Sequence, residues 1–236
     1  MGKNKGKNSN YKYAPATSSV VEKKESRKTA FFGIIFAAVA VVICVAIAIF
    51  MHSNNKSVYV EMKVKDYGTI VLKLDRDAAP KTVENFVGLV EEKFYDGLTF
   101  HRVMDNFMIQ GGCPNGDGRG NSGKYIKGEF SANGYDNPIS HKRGVISMAR
   151  SDDGNPFTTD EFNSASCQFF ICNEDSTFLD GNYAAFGHVV EGLDVVDSIT
   201  YATVGYSDAN GAINDKSKQA VIEYVKVLDG YTESAE

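Results

Sequence analysis

Residues Phe100–Gly112 read Phe-His-Arg-Val-Met-Asp-Asn-Phe-Met-Ile-Gln-Gly-Gly, and this stretch decides the fold of the chain. It places one guanidinium, that of Arg102, among large apolar side chains and ends with the carboxamide of Gln110 and a glycine pair. An arginine in such surroundings needs partners, because an unpaired buried charge is very costly. Two interpretations stay open: a cleft lined by the arginine and its apolar neighbours, or an ordinary hairpin whose arginine reaches solvent.

The second half of the stretch predicts a short strand over Phe107–Ile109, which the following glycine pair interrupts. Successive side chains of a strand point to opposite faces. On this pattern Met108 and Gln110 share one face of the strand. Phe107 and Ile109 share the other face.

The residues before this stretch predict a β-hairpin followed by a helix. Val58–Val64 and Thr69–Asp75 alternate apolar and polar side chains on either side of a turn at Asp66-Tyr67-Gly68. Pro80 then stands in the first turn of a helix, where proline is tolerated. Apolar residues at helical spacing follow and predict a helix that packs one face on a sheet. These apolar residues are Val83, Phe86, Val87 and Val90.

The residues after the stretch predict further short strands and a second helix. Val145–Ala149, Gln168–Cys172 and Val221–Leu228 are typical of strands, whereas Glu191–Ile199 is typical of a short amphipathic helix. Helices do not follow every strand, so a parallel βαβ series is disfavoured. The expected fold is mainly β, an antiparallel sheet closed on itself with two helices over its open ends.

Two loops carry patterns that resemble ligand sites. Gly118–Gly123 contains a literal G-x-G-x-x-G, but its flanks are polar and turn-like, whereas a dinucleotide site requires a strand before it and a helix after it. We therefore interpret it as a flexible loop. The Arg150–Ser166 insert is rich in carboxylates, but their spacing matches no EF-hand loop. A solvated loop is the simpler interpretation.

The N-terminal 51 residues differ in composition from the rest of the chain. Residues 1–28 hold eight basic and two acidic side chains, a charge of +6, so residues 29–236 carry −11 of the total of −5. This polar tail is predicted to be disordered. Ala30–Met51 contains 22 residues without a charge, and as a helix it would span about 33 Å, enough for a hydrocarbon core of about 30 Å. We expect an uncleaved transmembrane helix over residues 29–51, because no small-residue cleavage site follows it.

The basic tail also predicts an orientation, with the N-terminus in the cytoplasm. Residues 52–57 then form a linker, residues 58–230 form a domain outside the cytoplasm, and residues 231–236 form a short tail. A basic tail on an acidic body is not the charge distribution of a nucleic-acid-binding fold. The expected protein is thus a single-pass membrane protein without a nucleic-acid partner.

The cysteines and histidines exclude several chemistries. The four cysteines have no C-x-x-C spacing, which disfavours a zinc site and a thioredoxin-like redox pair, and we expect free, mostly buried thiols. G-x-S-x-G and H-E-x-x-H are absent. His101 lies between bulky neighbours and is interpreted as a hydrogen-bonded structural histidine. The remaining candidate chemistry is non-covalent, with one arginine, amide side chains and an aromatic-aliphatic pocket.

Six groups of motifs resemble the cyclophilin family, in order and at compatible spacings, across Val58–Gly230. They are Phe100-His101-Arg102, Phe107–Gly112, Ser147-Met148-Ala149, Gln168–Cys172, Leu179-Asp180-Gly181, and Phe186-Gly187 with Val190-Glu191-Gly192. The resemblance implies peptidyl-prolyl cis-trans isomerase activity on an eight-stranded antiparallel barrel capped by two helices, in a membrane-anchored, bacterial-like form. It implies no cofactor and no metal. The implied partners are proline-containing polypeptides, secreted or at the cell surface, bound by a monomer.

The resemblance also implies roles for eleven residues. Catalysis falls to Arg102, Phe107 and Gln110. Substrate binding falls to His101, Met108, Ala149, Gln168, Phe170, Phe178, Leu179 and Tyr183. Tyr183 stands where many members have histidine. Phe178 stands where many members have tryptophan, and this difference predicts weak cyclosporin binding. The alternative is a proline-peptide binding module or holdase chaperone with incidental turnover.

Overall fold

The computed structural model describes residues 39, 41–44, 57–151 and 159–233. Its first two strands are the predicted hairpin, β1 (Ser57–Val64) and β2 (Gly68–Asp75), in antiparallel register from Ser57 opposite Asp75 to Val64 opposite Gly68. The alternation of the sequence becomes an alternation of burial, because every second side chain of β1 points into the core.

Eight strands of the described chain close into one barrel. Beyond the hairpin they are β3 (Thr99–Met104), β4 (Met108–Gly111), β5 (Val145–Met148), β6 (Phe169–Cys172), β7 (Ala185–Glu191) and β8 (Ala220–Val227). The order around the barrel is β1-β2-β7-β5-β6-β4-β3-β8, with β8 returning to β1. Every neighbouring pair is antiparallel, so the predicted mainly β, closed eight-stranded barrel is confirmed.

Two α-helices pack against this barrel, α1 (Pro80–Glu91) and α2 (Leu193–Thr203). The apolar stripe predicted for α1 is buried, and its Phe86 ring contacts three other rings of the core. These rings belong to Tyr95, Phe169 and Phe186, with centroids 5.0, 5.6 and 5.2 Å from that of Phe86. Because two of these rings come from the strands β6 and β7, Phe86 ties α1 to the barrel.

The predicted boundaries of the second helix were wrong. Glu191 is the last residue of β7 and pairs with Val71. Gly192 follows with φ of 84°, a left-handed conformation that glycine adopts without strain. The helix therefore begins only at Leu193, and it continues to Thr203 because Val196, Ile199 and Thr200 keep contact with the core.

Periodicity did not predict β7, because a glycine interrupts its apolar pattern. A Cβ atom at Gly187 would lie 2.3 Å from the carbonyl oxygen of Lys73 on β2. The close approach of these two strands therefore excludes any larger residue at this position. The glycine that weakens the strand signal is what lets the barrel close here.

Three of the cysteines are free and buried, as predicted: Cys113, Cys167 and Cys172. Burial raises the pKa of Cys167 to about 11 and that of Cys172 to about 12. Both thiols therefore stay protonated at neutral pH.

The predictions for the chain ends fall largely outside the described residues. These include the tail 1–28, most of Ala30–Met51, residues 52–56 and residues 234–236. No helix within the described ranges is long and apolar enough to cross a membrane. Ser57, assigned to the linker, is the first residue of β1. Tyr231, assigned to the tail, packs its ring 4.8 Å from that of Tyr59 on the outside of the barrel.

Candidate active site

The β3–β4 hairpin carries the residues of the deciding stretch. Arg102 on β3 pairs with Gln110 on β4, and Met104 pairs with Met108. The tight turn between the strands includes Asn106 with φ of 54°, a left-handed conformation that asparagine tolerates. This pairing aligns the guanidinium, the carboxamide and the two methionine sulfurs on one face.

The strand phase predicted for Phe107 was wrong. Phe107 belongs to the turn, so the alternation of β4 begins only at Met108. Its ring packs in the same apolar cluster as Met108, whereas Ile109 faces the barrel core. The turn thus places Phe107 on the side of the hairpin that carries Arg102.

The apolar cluster that contains Met108 is separate from the barrel core. It lies outside the barrel, so that β4 and β6 are covered on both faces. Ile109 and Ile171 face inward, and Met108 and Phe170 face the opposite side. The cluster comprises Met108, Phe170, Cys172 and Leu179, with Met104, Phe107, Ala149 and Tyr183 packed against it.

A cleft of about 560 Å³ opens over this cluster. It brings together ten of the eleven residues that the sequence singled out for the site. They are His101, Arg102, Phe107, Met108, Gln110, Ala149, Phe170, Phe178, Leu179 and Tyr183. Gln168 lines an adjoining polar pocket that shares Gln110 and Ala149 with the cleft. The apolar walls beside the guanidinium of Arg102 suit a small apolar ring attached to a polar backbone.

Arg102 is held from several sides without a carboxylate. Its Nη1 donates to the Gln110 Oε1 at 3.1 Å and its Nε donates to the Asn210 carbonyl oxygen at 2.8 Å. Its Nη2 lies 3.1 Å from the Met104 sulfur, and the guanidinium lies 6.0 Å from the centroid of the Phe107 ring. Among the described residues, no carboxylate is within ion-pair distance of this arginine. Burial lowers its pKa from the ordinary value of 12.5, but a protein guanidinium stays charged.

A chain of amides links Arg102 to the glycine-rich loop. Gln110 accepts from the arginine and donates to the Gln168 Oε1 at 2.9 Å. Gln168 in turn donates to the carbonyl oxygens of Gly118 and Gly120, at 2.9 and 2.8 Å. Both amide hydrogens of Gln168 are thus used within the protein. The geometry therefore favours an anchor for the loop over a direct donor to substrate.

The Phe170 ring at the base of the cleft is held between two other rings. His141 lies almost parallel to it, with centroids 6.0 Å apart, and Tyr183 meets it edge-on at 5.8 Å. The buried His141 is itself fixed, because its Nδ1 lies 2.8 Å from the Asp180 carboxylate and its Nε2 3.0 Å from the Ser147 hydroxyl. The buried His141 and Ser147, with the exposed Asp180, thus orient a ring without entering the cleft.

The interpretation of His101 as a hydrogen-bonded histidine was wrong. The side chain is buried, but neither ring nitrogen has a partner in hydrogen-bonding geometry among the described residues. Burial lowers its pKa to about 4. His101 therefore enters the cleft wall as a neutral ring.

This burial predicts a pH dependence of stability. The unfolded chain binds a proton on His101 near pH 6.5, whereas the folded chain binds it only near pH 4. Between these values the unfolded state holds more protons, so stability falls as the pH decreases through this window. We expect His101→Gln to reduce the slope of unfolding free energy against pH by at most about 1.4 kcal/mol per pH unit. Urea denaturation at pH 7, 5.5 and 4.5 measures the unfolding free energy of both proteins. The same dependence on pH in both would contradict the lowered pKa of His101.

Sequence patterns missed three contributors to this region. Arg150 lines both the cleft and the polar pocket, Ala212 lines the cleft, and the Asn210 carbonyl holds Arg102. Nothing near Asn210 marks it, because its contribution is a backbone oxygen delivered across the fold. Arg150 carried a signal, since it follows the Ser147-Met148-Ala149 motif directly.

Comparisons with known proteins agree with this geometry. The family model described as cyclophilin type peptidyl-prolyl cis-trans isomerase/CLD matches residues 59–227. A peptidyl-prolyl cis-trans isomerase of Helicobacter pylori is 42% identical over 146 residues, which cover 61% of this chain and 81% of the relative. Peptidyl-prolyl cis-trans isomerase B of Bacillus subtilis is 39% identical over 141 residues, covering 60% and 90%.

A solved structure is similar as well. The cyclophilin type isomerase of Cryptosporidium parvum, crystallised in the presence of the dipeptide Ala-Pro, aligns with a TM-score of 0.60 and 25% identity. The alignment covers 72% of this chain and 98% of that one. Residues 59–227, which the family model matches, contain all of the barrel strands except the first two residues of β1, and all eleven residues of the predicted site. The chain therefore belongs to the cyclophilin family, and it is a cyclophilin-type peptidyl-prolyl cis-trans isomerase.

Proposed function

We propose that the chain catalyses rotation about X-Pro bonds through Arg102, acting on proline-containing polypeptides outside the cytoplasm. The supporting observation is a charged guanidinium beside an apolar cleft, hydrogen-bonded to neutral acceptors and with no described carboxylate in ion-pair contact. An arginine already paired with a carboxylate would have less to gain from a new acceptor. This one keeps its charge available to the substrate.

The chemistry follows from amide resonance. Rotation about the X-Pro bond faces a barrier of about 18–20 kcal/mol, because the partial double bond must be broken. As the bond twists, the proline nitrogen becomes pyramidal and regains a lone pair. A guanidinium that donates to this nitrogen stabilises the twisted amide more than the planar one, which lowers the barrier.

The other residues place the substrate for this step. Phe107, Met108, Phe170 and Leu179 supply the apolar walls for the proline ring, with Tyr183 at the rim. Gln110 already accepts from Arg102 and orients its guanidinium toward the substrate backbone. Closing an apolar wall around the donor excludes water and strengthens its interaction with the twisted amide. The protein groups suffice for this step.

A protease-coupled isomerisation assay of the full-length chain tests this function. We expect the cis-to-trans rate of an X-Pro peptide to rise linearly with enzyme concentration. A binding module or holdase would instead retain proline-containing polypeptides with little acceleration. Titration of the same peptide, followed by fluorescence anisotropy, separates binding from turnover.

The proposed location rests on the basic tail and the uncharged run Ala30–Met51. Protease added to intact cells with an accessible surface should release the isomerase domain by cleavage near residues 52–57. The cytoplasmic tail should be protected in the same experiment. A protected domain beside a digested tail would reverse the orientation, and a mature chain that begins near residue 52 would show signal cleavage.

The rim of the cleft predicts weak cyclosporin binding. Phe178 is 71% exposed and packs on Phe107 with ring centroids 5.4 Å apart. Phenylalanine lacks the indole N–H that tryptophan supplies at this position in many family members. We expect Phe178→Trp to tighten inhibition about ten- to a hundredfold, as for one hydrogen bond and its packing, with little change in turnover. Nanomolar inhibition of the unmodified chain would contradict this account.

A further inference from the structure

Arg150 is a charged side chain that the mechanism above does not use. It directly follows Ala149 at the start of the insert, and its side chain is only 3% exposed. Burying a guanidinium is costly unless other groups replace its hydration. The groups that contact Arg150 therefore indicate what a charged side chain does at this buried position.

Three aromatic rings surround this guanidinium. Its carbon lies 4.8 Å from the ring centroid of Tyr183, 5.4 Å from that of Phe162 and 6.0 Å from that of Phe130. We call Tyr183, Phe162 and Phe130 the aromatic cage. Attraction between a cation and an aromatic face is strongest where water is excluded. The nearest ring of the cage, Tyr183, is also the rim of the cleft.

The same guanidinium closes the base of the insert. It donates to the carbonyl oxygens of Asn182 and Ser151, both at 3.1 Å, and lies 3.8 Å from the Glu161 carboxylate. Ser151 N–H also donates to the Ser164 hydroxyl at 2.9 Å. The prediction of a solvated loop was therefore wrong for its returning half, where Phe162 is buried edge-on against Phe130.

These contacts form one path from the insert to the base of the cleft. Phe162 contacts Arg150, Arg150 contacts Tyr183, and Tyr183 meets Phe170 edge-on. Tyr183 thus contacts the guanidinium of Arg150 on one side and the ring of Phe170 on the other. Without the cation, Tyr183 loses one of the contacts that hold it at the rim.

We propose that Arg150 is a positioning residue for the isomerase: it holds Tyr183 at the rim of the cleft and couples the insert to substrate affinity. The inference rests on the proline pocket proposed above. Arg150 acts through Tyr183 and does not touch the reacting bond, so its loss changes KM and leaves kcat nearly unchanged. A planar guanidinium is required, because the compact ammonium of lysine cannot stack on a ring and lacks the fixed planar donor geometry of arginine.

The test measures kcat and KM separately for the full-length chain with an X-Pro peptide. We expect Arg150→Lys to raise KM about three- to tenfold, the range that one desolvated cation–π contact allows, with kcat within about twofold. Phe162→Leu removes one ring of the cage without touching the charge and should raise KM in the same direction. Arg143→Lys is the matched control, because Arg143 pairs with Asp197 on α2 and lies outside the cleft.

A double-mutant cycle with Tyr183→Leu identifies the path. If Arg150 acts through Tyr183, adding Arg150→Lys to Tyr183→Leu raises KM by less than about twofold. An unchanged KM in Arg150→Lys, or an equal increase in both backgrounds, overturns the inference. If thermal denaturation shows that Arg150→Lys is not folded, the double-mutant cycle of Phe162→Leu with Tyr183→Leu tests the inference by the same criterion. An unmodified chain without turnover overturns the proposed function instead.

Discussion

Replacing Arg102 by alanine is expected to lower kcat/KM by about ten- to a thousandfold while the fold stays intact. This loss corresponds to about 1.4–4 kcal/mol of transition-state stabilisation. The reason is geometric, because the guanidinium lines the cleft and its described partners are neutral. Alanine removes the donor and leaves the apolar walls in place. The protease-coupled assay measures the rate, and circular dichroism verifies the fold.

Arg76→Ala is the matched control, since Arg76 is exposed in the turn between β2 and α1. It removes the same charge from the surface and should leave kcat/KM within about twofold. Equal kcat/KM for the unmodified chain and Arg102→Ala would remove the proposed catalytic role. A similar loss in both variants would indicate an effect of net charge.

Replacing Glu129 by alanine is expected to lower the free energy of unfolding by about 3–5 kcal/mol. Helix α1 begins with no side-chain cap of its own. The buried Glu129 carboxylate supplies one from a loop, accepting from Lys81 N–H at 3.0 Å and from Thr82 N–H at 2.8 Å. It also accepts from the Thr82 hydroxyl at 2.8 Å. Alanine leaves the buried donors of Thr82 and the partly buried N–H of Lys81 without this acceptor at the positive end of the helix.

Urea denaturation measures this change, with two comparison variants. Glu129→Gln retains one of the two acceptor oxygens but loses the charge, so about half of the loss is expected. Glu84→Ala removes an exposed carboxylate from the same helix, where it pairs with Lys81, and should cost less than about 1 kcal/mol. Equal stability of Glu129→Ala and the unmodified chain would show that solvent or other groups satisfy the helix.

Local sequence patterns predicted the strands and helices correctly wherever one face of the element is buried. The alternation of Val58–Val64 and the stripe of α1 each predicted burial correctly, because the period of a strand or helix is visible in its own residues. The pattern failed at β7, where the spacing between two backbones demands Gly187. It also failed at Phe107, because a turn residue follows no strand alternation.

For the site, motif resemblance selected eleven residues, of which the fold brings ten to one cleft, although they lie on three strands and several loops. Periodicity alone assigned no function to any of them. The polar links between them depended on tertiary structure. Gln168 is directed toward Gly118 and Gly120, and His101 is left without a hydrogen bond, because packing across the barrel decides which groups meet.

The sequence by itself determined the strand and helix content, the buried faces and the family, because these depend on residue type and on spacing along the chain. Only the tertiary structure decided which groups each buried charge contacts. Glu129 caps a helix 47 residues before it, and Arg150 binds rings contributed by three separate segments. The physical reason is that the energy of a buried charge depends on partners distant in sequence, which local spacing does not specify.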